Sequence, residues 1–185
     1  MLSRLRRFCR DVEAVAAVEF ALILPLLITL YLGTVEAATL YAADRKVATV
    51  ASTMADLVSR EKDTILLSRL DDYYAATATI MQPYTTAGLT VVVSLLQLDA
   101  EGVATVKWSK GYGADDRNAD DEYPLDADSR INELARGASG WLIASEVTYP
   151  HRSFIGYVFP ETINLRHVEY FLPRFDGEIA LDTNG

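Results

Sequence analysis

The sequence predicts an α+β chain: a long N-terminal helix that crosses a membrane and continues as a stalk, then a small domain with one helix and an antiparallel sheet. Three observations carry the prediction. The run VAAVEFALILPLLITLYLG, Val15 to Gly33, contains one ionisable side chain, Glu19. From Gly33 to Pro83 no proline or glycine interrupts a helical pattern. Beyond Pro83, runs rich in Val, Leu and Thr alternate with turn residues, the signature of paired strands.

The apolar run comes first. At about 1.5 Å per residue it matches a hydrocarbon layer of roughly 30 Å, so Val15 to about Val35 is a transmembrane helix candidate. Arg4, Arg6, Arg7 and Arg10 precede it, and the positive-inside rule puts residues 1–14 in the cytoplasm and the rest of the chain across the membrane. A cleaved secretory signal is the competing reading, because small residues in GTVEAATLYAADRKVA, near Ala37 and Ala38, follow the run; such signals usually have a shorter apolar core. Pro25 removes one backbone hydrogen bond, which a membrane bundle tolerates.

Residues 36–63 read as an amphipathic stalk. Val47, Val50, Met54, Leu57 and Val58 recur at intervals of three and four, while Arg45, Lys46, Thr49, Asp56 and Arg60 take the complementary positions. Residues 64–185 form the outer domain. A second helix is expected from Thr64 to Met81, with Ile65, Leu66, Leu70, Tyr73 or Tyr74 and Ile80 on its apolar side, ended by QPYTTAG. LTVVVSLLQLD and GVATVKWSK, joined by DAEG, make a hairpin; GWLIASEVTYP and ETINLRHVEYFLP supply two more strands, with HRSFIGYVF a turn or short strand between them.

Composition limits the function. Of 185 residues 50% are hydrophobic, and they crowd into the first third. A net charge of −9 and a pI of about 4.7 exclude non-specific nucleic-acid binding, which needs a basic patch to displace phosphate counterions. The single cysteine, Cys9, has no intramolecular disulfide partner.

Glu19 raises the central question, since an intramembrane carboxylate costs a few kcal/mol on insertion scales and is functional by default. One reading is an interfacial glutamate that snorkels to the headgroups. Another comes from a resemblance. A basic leader, a small residue, four residues and Glu-Phe at the head of a helix with an early proline resemble the type IV pilin signal. AVEFALILPLLITLYLG resembles the TadE/TadG-like minor pseudopilins of tight-adherence (Tad, or Flp-type) pili, from Ala14 to about Leu57. SEVTYPHRSFIGY and LRHVEYFLPRF resemble that family's C-terminal ending, a Tyr-Pro strand and a last strand closing in Pro-Arg.

The resemblance implies a pilin-like outer domain and prepilin-peptidase cleavage between Ala14 and Val15. Ala14 departs from the glycine common before the cut in type IV pilins. Glu19 becomes the fifth mature residue, pairing with the terminal amine of a neighbouring subunit, and Phe20 is the accompanying aromatic. The implied partners are the prepilin peptidase, other pilin and pseudopilin subunits, the inner-membrane assembly platform and the lipid bilayer. The implied location is a bacterial inner membrane, single-pass, with the C-terminal domain periplasmic or carried into the pilus.

Catalysis finds little support. GADDRNADDEYPLDADSRINE, with Asp115, Asp116, Asp120, Asp121, Glu122, Asp126 and Asp128, has oxygen ligands, but Arg130 and Asn132 break an EF-hand spacing, and a solvated surface loop is expected. His151 and His167 lack a metal spacing. GASG (137–140) is one residue short of a nucleophile elbow, and KGYG reads as a turn. The expectation is a non-enzymatic assembly component with no cofactor. The alternatives are a permanently membrane-anchored extracytoplasmic binding module unrelated to fibre assembly, and an envelope enzyme using the acidic loop.

Overall fold

A computed structural model describes residues 12–125, 140–175 and 177–183, with side chains from Val15 onward. It is an α+β chain with a long N-terminal helix, as the sequence predicts. Helix α1 (Val12–Ser59) is continuous and contains Pro25. The chain divides into two compact units, Met1–Tyr41 with Arg152–Thr162, and Ala42–His151 with Ile163–Gly185.

In the first unit every described side chain from Val15 to Tyr31 is exposed. A helix apolar on all sides has no face to offer water, and its stable surroundings are lipid or other apolar helices. The hydroxyls of Thr29 and Thr34 donate to the carbonyls of Pro25 and Leu30 at 2.9 and 2.8 Å, so neither donor depends on water. Residues 152–162 form no regular element, so in HRSFIGYVF only His151 belongs to a strand, as the end of the one that begins at Gly140, and the rest is a loop.

In the second unit, α1 buries Ala43, Val47, Val50, Met54 and Val58 at intervals of three and four, with Ala51 and Ala55 widening the stripe. Leu57, expected on that stripe, is half-buried. The helix is followed by β1 (Thr64–Leu66) and α2 (Leu67–Met81). The second helix therefore starts three residues later than its periodicity implied. Asp63, in the left-handed region at φ 62°, turns the chain, and its carbonyl accepts the Ala180 N–H at 2.8 Å. That docks β1 in parallel beside β7 (Ala180–Asp182).

The main sheet has five strands in the order β4-β3-β2-β5-β6, every neighbour antiparallel: β2 Thr90–Leu98, β3 Ala104–Tyr112, β4 Glu122–Tyr123, β5 Gly140–His151 and β6 Ile163–Phe171. The DAEG turn closes its hairpin through the Asp99 carboxylate, which accepts the N–H groups of Glu101 and Val103 at 3.1 and 2.7 Å. Lys110, Gly111 and Tyr112 belong to β3, so KGYG is a strand end and only Gly113, at φ 70°, turns.

Register assigns the two faces. Val91 pairs with Val147, Leu95 with Ile143, and Val147 with His167, whose Nε2 lies 2.7 Å from Asp44 of α1. This face is turned to the helix. A bulge at Lys107 sets Trp108 opposite Leu95 and Val106 opposite Leu96, so that Trp108 joins the helix side and Val106 the other. The Trp108 indole donates to the Ile179 carbonyl at 2.6 Å, tying the C-terminal segment to the sheet.

The far face has its own core of Leu96, Leu98, Val106, Leu142, Ala144 and Tyr123. Leu96 is fully buried there. Leu96→Ala is expected to destabilise the domain by about 2–5 kcal/mol, read from denaturant unfolding of the full chain in detergent by tryptophan fluorescence; a change below about 1 kcal/mol would contradict a packed second core.

Candidate functional site

The residues singled out by the sequence lie along the first turns of α1. Ala14 is within the helix, and Val15, Glu19 and Phe20 are all exposed. Val15 and Glu19, four positions apart, share one face about 6 Å apart along the axis. Glu19 makes no hydrogen bond or ion pair among the described residues. Around it Val18, Leu22, Ile23 and Leu26 are exposed as well, so its carboxylate is set in an apolar surface.

A second carboxylate on the same helix is arranged in the opposite way. Glu36 is 1% exposed. It receives the backbone N–H groups of Tyr157, Val158 and Phe159 at 2.6, 2.9 and 2.9 Å, from a loop more than a hundred residues away in sequence. Burial, the largest influence, raises the Glu36 pKa, but the three backbone donors and the Ser153 hydroxyl outweigh it and hold the carboxyl below its ordinary 4.5. The ionised form is therefore the one that clamps the loop. Gly33 adds to the fit, since a Cβ there would lie 3.3 Å from Val158 Cγ2.

Glu36 escaped the sequence reading although a signal was present. It stands seven residues before Ala43 and fourteen before Val50, at an apolar-stripe position of α1 where a charge needs a partner. The partner is a set of backbone groups, which leave no mark in a sequence.

Among the described residues the remaining polar groups form separate small clusters. Arg117 and Arg166 bracket Glu146 at 2.6 and 3.1 Å, with the Arg117 guanidinium 4.7 Å from the Tyr123 ring centre. Burial, with Glu146 beside it, raises the Tyr123 pKa. In the acidic loop, Asp116 accepts the Gly111 N–H at 2.7 Å and lies 3.7 Å from Lys110, and Asp120 lies 3.8 Å from Lys107. These are ties to the neighbouring sheet. Asp126, Asp128 and residues 137–139 of GASG lie outside the described residues. Among the described residues no three His, Cys, Asp or Glu side chains gather as a metal site.

His151 is buried against Tyr84, ring centres 6.1 Å apart, and burial lowers its pKa. His167 is engaged with Asp44, so the two histidines serve different contacts. At the C-terminal end, Arg174 donates its N–H to the Ser59 carbonyl at 2.8 Å, and its guanidinium pairs with Asp56. It covers one of the carbonyls that the end of α1 leaves unpaired and places a cation at the negative end of the helix. The strand leading to Pro173-Arg174 is not the last, because β7 follows it.

No curated protein and no solved structure matches the chain. The family model of TadE-like proteins matches residues 14–56. That interval begins at Ala14, takes in Val15, Glu19, Phe20 and Glu36, and leaves out the C-terminal strands whose ending resembled the same family. The chain thus carries a TadE-like protein domain in its N-terminal region.

Proposed function

We propose that the chain is a minor pseudopilin of a tight-adherence pilus system, a structural component of assembly and not an enzyme. The observation that carries this reading is the exposed, all-round apolar helix of Val15–Tyr31 with the lone carboxylate Glu19 inside the stretch that matches TadE-like proteins. In the proposal, residues 1–14 are a cytoplasmic leader, residues 15–35 span the inner membrane, residues 36–63 form the stalk, and residues 64–185 form the periplasmic domain.

A prepilin peptidase cuts between Ala14 and Val15. Glu19 then neutralises the new amine of a neighbouring pilin or pseudopilin, and Phe20 packs at the same level. Two opposite charges in an apolar setting are costly to leave apart, so the pair sets the register of one subunit on the next. The assembly platform extracts the subunit to prime, cap or stabilise the fibre.

Deleting the chain in its native bacterium tests the reading. Loss of surface pili by electron microscopy, restored by complementation, is the expected outcome. Unchanged piliation would favour a permanently anchored binding module.

A further inference from the structure

The loop Arg152–Thr162 carries the most exposed apolar side chains outside the helix. Phe154 is 102% exposed, with Ile155, Tyr157 and Val158 also open. Between Ser153 and Pro160 there is no charged residue, while Arg152 and Glu161 stand at the two ends. In water this surface is unfavourable, and none of these four side chains packs into a core.

Its position is set by the two contacts with α1. Val158 lies against Gly33, the last residue of the apolar run, and Glu36 holds the N–H groups of Tyr157, Val158 and Phe159 less than one helical turn further on. From Val15 to Gly33 the helix rises about 27 Å, close to the roughly 30 Å of a hydrocarbon core. The loop is thus level with the end of the membrane-spanning stretch, where aromatic side chains favour the lipid headgroup region.

The clamp also lowers the usual obstacle to placing irregular backbone there. Unpaired N–H groups are costly in hydrocarbon, where no water can accept from them. Three such groups are satisfied by the Glu36 carboxylate, and the carboxylate itself is screened by the loop.

We propose that residues 153–159 form a lipid-contacting wedge that inserts Phe154, Ile155, Tyr157 and Val158 into the leaflet surrounding the outer end of the membrane helix. The partner is a phospholipid surface. The wedge fixes the depth of the helix and the rotation of its exit, and extraction of the subunit must withdraw it along with the helix. This inference rests on the proposed membrane-spanning reading of residues 15–35.

The test uses the full chain in vesicles of phosphatidylethanolamine and phosphatidylglycerol. Cys9 is replaced by serine, and an environment-sensitive NBD dye is attached at one new cysteine: Phe154→Cys, Tyr157→Cys, Leu24→Cys in the helix, or Glu101→Cys in a polar turn. Nitroxide-bearing lipids report contact with the bilayer and aqueous iodide reports contact with water.

The dye at 154 and at 157 is expected to be quenched severalfold more by nitroxide lipids, and severalfold less by iodide, than the dye at 101. The dye at 24 is expected to follow the lipid pattern. Iodide quenching at 154 and 157 with lipid quenching at 24 would overturn the wedge and leave the membrane helix standing. Protection from both quenchers at 154 and 157 would overturn it in favour of a protein partner or a second copy. Absence of lipid quenching at 24 would remove the membrane reading and the wedge together.

Discussion

Glu19→Ala is expected to leave the chain inserted in the membrane while lowering its incorporation into the pilus at least tenfold. Insertion is spared because removing a charge from an apolar helix does not raise the cost of transfer. In the proposed pairing, assembly suffers because the variant leaves the terminal ammonium of a neighbouring subunit unpaired in apolar surroundings. Breaking a buried ion pair from one side costs about 3–5 kcal/mol, and about 1.4 kcal/mol already changes an equilibrium tenfold. Glu19→Asp keeps the charge on a shorter side chain and should recover part of the loss. Quantitative immunoblotting of membrane and sheared-pilus fractions checks both variants. Equal incorporation of wild type and Glu19→Ala would leave the interfacial glutamate as the better account of this residue.

Glu36→Ala is expected to release the loop that contains Tyr157, Val158 and Phe159. The variant leaves three aligned N–H groups and the Ser153 hydroxyl without their acceptor. Hydrogen exchange at these amides should accelerate by orders of magnitude, while β2 and β5 keep their protection. Glu36→Gln is expected to fall between, because an amide oxygen accepts hydrogen bonds but its NH2 group faces other donors.

The same contact predicts a pH dependence. The folded-state pKa of Glu36 lies below the ordinary 4.5, so the clamp's contribution is full at neutral pH. It is lost as pH falls below 4.5 and through the folded-state value. Protection at residues 157–159 should therefore be unchanged between pH 7 and pH 5 after correction for intrinsic exchange, and should decrease at lower pH. Protection that is insensitive to Glu36→Ala would contradict the clamp.

Much of this arrangement could be read directly from residue order. Val47, Val50, Met54 and Val58 announce one helix face by spacing alone, and the DAEG turn predicts the β2-β3 hairpin because Asp and Gly have local reasons to turn. Thr64–Leu66 could not be read in that way. Those residues continue a plausible helix, and they become a strand through pairing with Ala180–Asp182, more than a hundred positions away. Tertiary pairing overrides local preference there.

The site divides similarly. Glu19 is visible because its surroundings are uniformly apolar, and Ala14, Val15 and Phe20 stand out only through the resemblance of this stretch to a pilin signal. Glu36 looks like one charge among several at a helix exit until the loop brings three backbone donors to it. Backbone donors are the same in every sequence, so only the fold distinguishes that carboxylate from a solvated one.

Whether this chain is a processed assembly subunit is decided by intact-mass analysis of the protein purified from membranes, with and without the native prepilin peptidase. Loss of residues 1–14 only when the peptidase is present is the predicted result, leaving Val15 as the N-terminus and Glu19 as the fifth residue. An unprocessed N-terminus in both samples would contradict the account and favour a permanently tethered module, and cleavage near Ala37 or Ala38 would identify the apolar segment as a secretory signal.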